Sequence, residues 1–243
     1  MRNWLVGNSG CEISLVGDNI VRKKSKDVYY NKRLLAQIEK QEQFSHSFIR
    51  TPKVYDVDTD KNGLIFFDME YVQGMTFSEF CFNNTFSEIS KFLEFFFPKK
   101  ETRKNITDSV YNKCKTLDGF PLSILSDVDW NVPSGFCHGD FTFENIIISK
   151  GEIYFIDFLD SFVDSPSIDT SKMMQDTFCF WAYRNSSNIP INKLFLINEM
   201  LESKQNYILL LIHLYRIIPY ANTETNRWLS CQIDRVKTKI KNI

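Results

Sequence analysis

Residues Phe136 to Asp157 read FCHGDFTFENIIISKGEIYFID, and the fold follows from this stretch. A polar loop, HGDFTFEN, runs into two β-type segments, Asn145 to Ser149 and Glu152 to Asp157, joined by Lys150-Gly151, a pair suited to a short hairpin turn. Antiparallel pairing across that turn brings the chain back, so Asp157 is expected beside Asn145 at the open end of the hairpin. Asp140 stands in the loop, five positions before Asn145. A loop carboxylate, then an amide, then a second carboxylate is the set of groups that phosphoryl transfer demands. Its transition state is positioned and electrostatically stabilised, so one carboxylate must hold the acceptor hydroxyl and hard oxygen donors must hold magnesium. Asp140 suits the first task, Asn145 and Asp157 the second.

Upstream of this centre, short β-type runs around Trp4 to Val6, Glu12 to Val16 and Asn19 to Lys24 are separated by Gly7-Asn8-Ser9-Gly10 and Gly17-Asp18-Asn19. From Asp27 to Phe44 the pattern becomes a charged helix with apolar positions at Leu34, Leu35 and Ile38, and two more strands are expected around Val54 and from Leu64 to Met69. Beyond Gly74 the periodicity is mostly helical: Thr85 to Phe97, Thr102 to Leu117, Ile168 to Tyr183, Ile191 to Ser203, Gln205 to Ile218 and Asn222 to Lys241. The expected class is α+β: a small antiparallel sheet with one helix over residues 1–73, and a larger helical lobe over 74–243 that contains the catalytic hairpin. Phe92, Phe95, Phe96 and Phe97 are assigned to the core of one helix.

HGDFTFENIII followed by YFIDF resembles the catalytic and metal-binding loops of the aminoglycoside phosphotransferase and choline kinase family, which has the bilobal protein kinase-like fold. The resemblance runs from the N-terminal strands to about Asp176. It implies Asp140 as catalytic base, His138 as a brace of the loop without direct chemistry, and Asn145 and Asp157 as ligands of the magnesium bridging the ATP phosphates. It also implies Asp169 as the residue that ties down the catalytic loop from the start of a helix. A kinase-like fold needs a strand lysine held by a helix glutamate against the phosphates, and Lys23 with Glu39 fills that requirement. Lys23 rather than Lys24 is chosen because it shares a strand face with Val21. Ser9 lies where a loop approaches the ATP phosphates, although a plain hairpin turn explains Gly7 to Gly10 almost as well. The backbone of Glu70 and Val72, in IFFDMEYVQGMTF, falls where the family's hinge meets adenine.

The acceptor is expected to be a small-molecule alcohol. Thr142 stands two positions after Asp140, where serine/threonine kinases have lysine, and the segment between Asp157 and Ile168 is too short for a peptide-docking loop. An amino alcohol of the choline or ethanolamine kind, or a sugar-like alcohol, is the first reading; an aminoglycoside antibiotic is the alternative, since its pocket should be strongly acidic and VKTKIKNI at the chain end is not. A catalytically inactive, nucleotide-binding pseudokinase is the third reading. Asp160, Asp164 and Trp181 are candidate acceptor contacts, with Trp181, Tyr183, Tyr215 and Trp228 a candidate aromatic wall for a quaternary amine.

Composition excludes several alternatives. Lys plus Arg total 29 against 30 Asp plus Glu, so no overall field draws the chain to nucleic acid or an anionic membrane. Six cysteines show no metal-ligand spacing, and the N-terminus lacks the apolar run of a secretory signal. Tyr207 to Tyr220 is interrupted by His213 and Arg216 and reads as a buried helix. The expectation is a cytoplasmic protein with reduced thiols and no membrane insertion.

Overall fold

The computed structural model describes residues 4–5, 11–96 and 102–243, which form two compact units: 1–77 with 144–160, and 78–143 with 161–243. This departs from the expected division at residues 73 and 74. The catalytic hairpin groups with the N-terminal unit because its strands join that unit's short strands in a sheet.

In the first unit, β1 (Trp4–Leu5), β2 (Cys11–Leu15), β3 (Ile20–Ser25), β5 (Val54–Thr59) and β6 (Ile65–Glu70) make an antiparallel sheet in the order β1-β2-β3-β6-β5. Strand alternation puts Val21, Lys23 and Ser25 on the buried face of β3, while Lys24 points away and pairs with Asp60 at 2.6 Å. Helix α1 (Asn31–Gln43) begins later than the periodicity suggests, because Asp27 accepts from the Tyr30 N–H and holds residues 27–30 in a turn. Its buried stripe is Leu34, Gln37, Ile38 and Gln41, at helical spacing. Leu34 and Ile38 close a core with Cys11 and Phe67.

The second sheet of this unit was only half legible. The hairpin strands Ile146–Ser149 and Glu152–Phe155 pair antiparallel, with Lys150 and Gly151 both at positive φ, 50° and 84°, as a type I′ turn requires. Two dipeptide strands then flank them. β4 (Ile49–Arg50) runs parallel to the second hairpin strand and β7 (Met75–Thr76) antiparallel to the first. Two residues carry no readable period, so these edges come from long-range pairing.

In the second unit, α2 (Phe77–Asn83) leads to α3 (Phe86–Phe96), whose start is set by a reciprocal cap between Thr85 and Glu88. Ile89 and Leu93 carry the buried face of α3, whereas Phe95 is exposed, and Phe97 lies outside the described residues. The expected helix from Thr102 opens as a strand, Arg103–Asn105, paired with Asn131–Pro133; α4 (Thr107–Lys115) follows, its first N–H satisfied by the Asn105 side chain. Helix α5 (Pro166–Thr177) starts at a Ser165 cap with Pro166 in its first turn, and it ends before Tyr183 because Phe180 turns left-handed at φ 62°. It packs against α6 (Ile191–Leu201) and α7 (Lys204–Ile217). Residues 207–215 of α7 are all buried, the signature of a central helix, and α8 (Thr223–Lys241) covers it with an amphipathic face. Among the described residues no helix is long and apolar enough to cross a membrane.

Candidate active site

Each unit carries one buried lysine paired with a carboxylate that the sequence singles out. In the first unit Lys23 is 3% exposed, donates to Gln37 Oε1 at 2.8 Å and forms a short ion pair with Asp157 Oδ1. Burial works against the ammonium, but the Asp157 charge and hydrogen bond outweigh it, and the Lys23 pKa is raised. Asp157 follows the second hairpin strand and holds φ at 62°, a left-handed setting uncommon for a non-glycine residue and concentrated at functional sites. The backbone Ile156 N–H donates to Asn145 O at 3.0 Å, which keeps the ends of the hairpin together and places Asn145 and Asp157 on adjoining rungs.

Glu39 does not hold Lys23. It is exposed and accepts from Gln43 Nε2 at 3.0 Å on the outer face of α1. Helical phase is the reason: Gln37 shares the stripe of Leu34, Ile38 and Gln41, and a residue two positions on is turned by about 200°. A neutral amide therefore stands where a glutamate was expected, and the 34/37/38/41 spacing was the sequence signal for it.

In the second unit the catalytic loop lies along α5. Asp169 accepts from the His138 N–H at 2.6 Å and the Gly139 N–H at 2.9 Å. His138 is buried, and its Nδ1 accepts from the Asp140 N–H at 3.2 Å. Asp176, fully buried two helical turns further on, accepts from the Phe143 N–H at 2.7 Å and the Ala182 N–H at 2.9 Å. The Asp140 carboxylate is paired with Lys172 Nζ at 2.8 Å. Sequence reading missed Lys172 and Asp176, although Asp169, Lys172 and Asp176 stand at i, i+3 and i+7 and so on one helix stripe.

The remaining candidates are placed unevenly. Asp160 is exposed and pairs with Arg33 at 3.2 Å, and Asp164 is exposed and accepts from the Cys137 thiol at 3.5 Å. The Glu70 N–H is taken by Lys53 O at 2.9 Å as β6 ends, and Val72 lies in the segment that follows. Ser9 lies outside the described residues. The proposed aromatic wall is reduced to Trp181 and Trp228, whose rings meet at 5.4 Å. Tyr183 donates to Ser78 O and buried Tyr215 to Gly119 O, so both are held elsewhere. Trp181 is also covered: the Arg184 guanidinium lies 4.2 Å over its ring.

For magnesium, the donor chemistry fits. Asn145 and Asp157 offer one amide oxygen and one carboxylate, and among the described residues there is no group of three His, Cys, Asp or Glu that would form an all-protein cage. Magnesium in phosphoryl-transfer sites is held in this sparse way, by one or two protein oxygens with phosphates and water completing the shell.

Comparison with known proteins gives one family match and several likenesses of fold. A family model described as the phosphotransferase enzyme family matches residues 83–185, a span that holds the catalytic loop, the hairpin and α5. No curated protein matches the sequence. Among solved structures, aminoglycoside phosphotransferase APH(2″)-IIIa with GDP and kanamycin superposes with a TM-score of 0.66 at 14% identity, covering 100% of this chain and 93% of its own. A thermostable mutant of aminoglycoside phosphotransferase APH(4)-Ia with ADP and hygromycin B gives 0.65 at 13%, covering 97% and 92%. A structure described as a fructosamine-3-kinase from Haemophilus somnus 129PT gives 0.62 at 14%, covering 98% and 90%. The fold is that of the protein kinase-like phosphotransferases. The family match falls on the segment that holds the loop, the hairpin and α5, while the likeness of fold extends along the whole chain.

Proposed function

We propose that the protein transfers the γ-phosphoryl group of ATP, with magnesium, to a hydroxyl of a small sugar-like or amino alcohol. The observation that carries this reading is the Asp140 loop, whose backbone N–H groups at 138, 139 and 143 are all tied to carboxylates of one helix. Such anchoring holds a reactive carboxylate in one geometry, which is what positioning catalysis requires. Asp140 accepts the proton of the acceptor hydroxyl as its oxygen bonds to the γ-phosphorus. The bond to the β–γ bridging oxygen breaks, and ADP leaves with the electron pair. Lys23 would meet the phosphates, and Asn145 and Asp157 would hold magnesium, which neutralises the charge on the phosphate oxygens when bound. The backbone of Glu70 and Val72 would receive adenine, and His138 and Asp169 keep the loop in place.

Among acceptors, Arg184 over Trp181 supports a sugar-like alcohol above a quaternary amine, because a cation already occupies that ring face. The kanamycin and hygromycin B complexes of similar fold favour an aminoglycoside as the second reading. Among the described residues no disulfide joins the six cysteines, which fits a reducing compartment such as the cytoplasm. The test is a coupled ADP-release screen over sugars, polyols, ethanolamine, choline, aminoglycosides and glycated amines, run with wild type and Asp140→Asn. Release with one acceptor class, abolished by Asp140→Asn, supports the reading. Tight ATP binding without release by any acceptor moves the protein to the pseudokinase class.

A further inference from the structure

Three residues of α5 address the catalytic loop in the same order as the loop runs. Asp169 takes the N–H groups of His138 and Gly139, Lys172 takes the Asp140 side chain, and Asp176 takes the N–H of Phe143. The two carboxylates fix the path of the backbone. Lys172 alone of the three touches the side chain that does the chemistry. It is buried, at 8% exposure, and its ammonium has a second hold on Gln175 Oε1 at 3.2 Å. An ammonium is costly to bury unless paired, and a methionine would fill the same volume without that cost. The site therefore retains charge where packing alone does not need it.

We infer that Lys172 is a positioning residue of the transfer reaction: by binding one carboxylate oxygen of Asp140 it fixes the plane of that carboxylate toward the acceptor hydroxyl. The cation beside Asp140 comes from helix α5 and not from the loop itself, where Thr142 stands two positions on. The inference rests on the phosphotransferase reading above. Behind the same helix turn, His213 Nε2 meets Ser171 Oγ at 3.0 Å. Burial first, then Lys172 and Arg216, hold the His213 pKa well below its ordinary value, so the imidazole is neutral.

The experiment compares wild type, Lys172→Met, Lys172→Arg, Asp140→Asn and the double variant Asp140→Asn/Lys172→Met, with circular dichroism and thermal unfolding on each. Turnover is followed as ADP release with the acceptor found in the screen, and Mg-ATP affinity by calorimetric titration. Lys172→Met is expected to lower kcat roughly 100-fold, within the range of a lost general-base contribution, with ATP affinity unchanged. Lys172→Arg should recover most of that loss, and the double variant should be no slower than Asp140→Asn alone, since residues acting as a unit are not additive. A folded Lys172→Met enzyme with wild-type turnover, or losses that multiply in the double variant, overturns the inference. If wild type releases no ADP with any acceptor, the phosphotransferase reading fails separately. The melting temperatures then decide the pairing: coupled shifts for Asp140 and Lys172 support it, and additive shifts overturn it.

Discussion

Each unit holds a buried lysine between an aspartate and a glutamine: Lys23 with Asp157 and Gln37 in the first, Lys172 with Asp140 and Gln175 in the second. The resemblance is chemical and the construction differs. Lys23 sits on a strand and meets Asp157 134 positions away, so its pairing depends on the sheet, α1 and the hairpin all being in register. Lys172 sits on the helix that also ties down the loop bearing Asp140, so one rigid element sets both backbone and side chain. On the proposed reading the first pair engages a nucleotide and its metal, and the second orients a base. The two should fail in different kinetic parameters.

The largest separation is expected from Asp140→Asn, which should lower kcat about 1,000-fold while leaving Mg-ATP affinity within twofold, in the range for loss of a general base. A calorimetric titration alongside turnover checks it, and a large loss of affinity would erase the distinction between the pairs. Asp157→Asn should instead weaken Mg-ATP binding by about tenfold or more as well as slow transfer, because a metal ligand is weakened and Lys23 loses its counter-charge. Unchanged affinity would remove Asp157 from the metal site.

Smaller effects test the supports. A β-carbon at Gly74 would lie 2.4 Å from Ile148 O and 2.7 Å from Ile147 Cγ2, so Gly74→Ala must push β7 off the hairpin. The expected cost is about 1–3 kcal/mol, read by denaturant unfolding, with nucleotide affinity falling more than kcat if the hairpin serves the first pair. Beneath the second pair, His213 is neutral in the folded protein and protonates near pH 6.5 once unfolded. The unfolded state then binds more protons below that pH, so stability falls as pH drops, by at most about 1.4 kcal/mol per pH unit for this group. His213→Gln should flatten that slope in melting temperatures between pH 7 and pH 5. An unaltered slope would assign it to other groups.

The hairpin was legible because its determinants are local: a short β-branched apolar run at Ile146–Ile148, a Lys-Gly turn and polar residues at the open end. Strand alternation was the ground for choosing Lys23 over Lys24, and Lys23 lies on the buried face of β3. Glu39 misled because acidic character was weighed above helical phase, which the sequence does carry in Leu34, Gln37, Ile38 and Gln41. The strands at Ile49–Arg50 and Met75–Thr76 had no signal to find, being two residues each and formed by pairing with distant partners.

By itself the sequence determined the hairpin, the face of β3 that carries Lys23, the order of loop, amide and carboxylate, and the helical character of the remainder. Each depends on spacing within a few residues. Only the tertiary structure decided that Gln37 meets Lys23, that α5 supplies Lys172 to Asp140, and that Arg184 covers Trp181. A buried charge takes whichever partner packing brings within hydrogen-bond reach, and local periodicity fixes the face a side chain is on without naming what lies across from it.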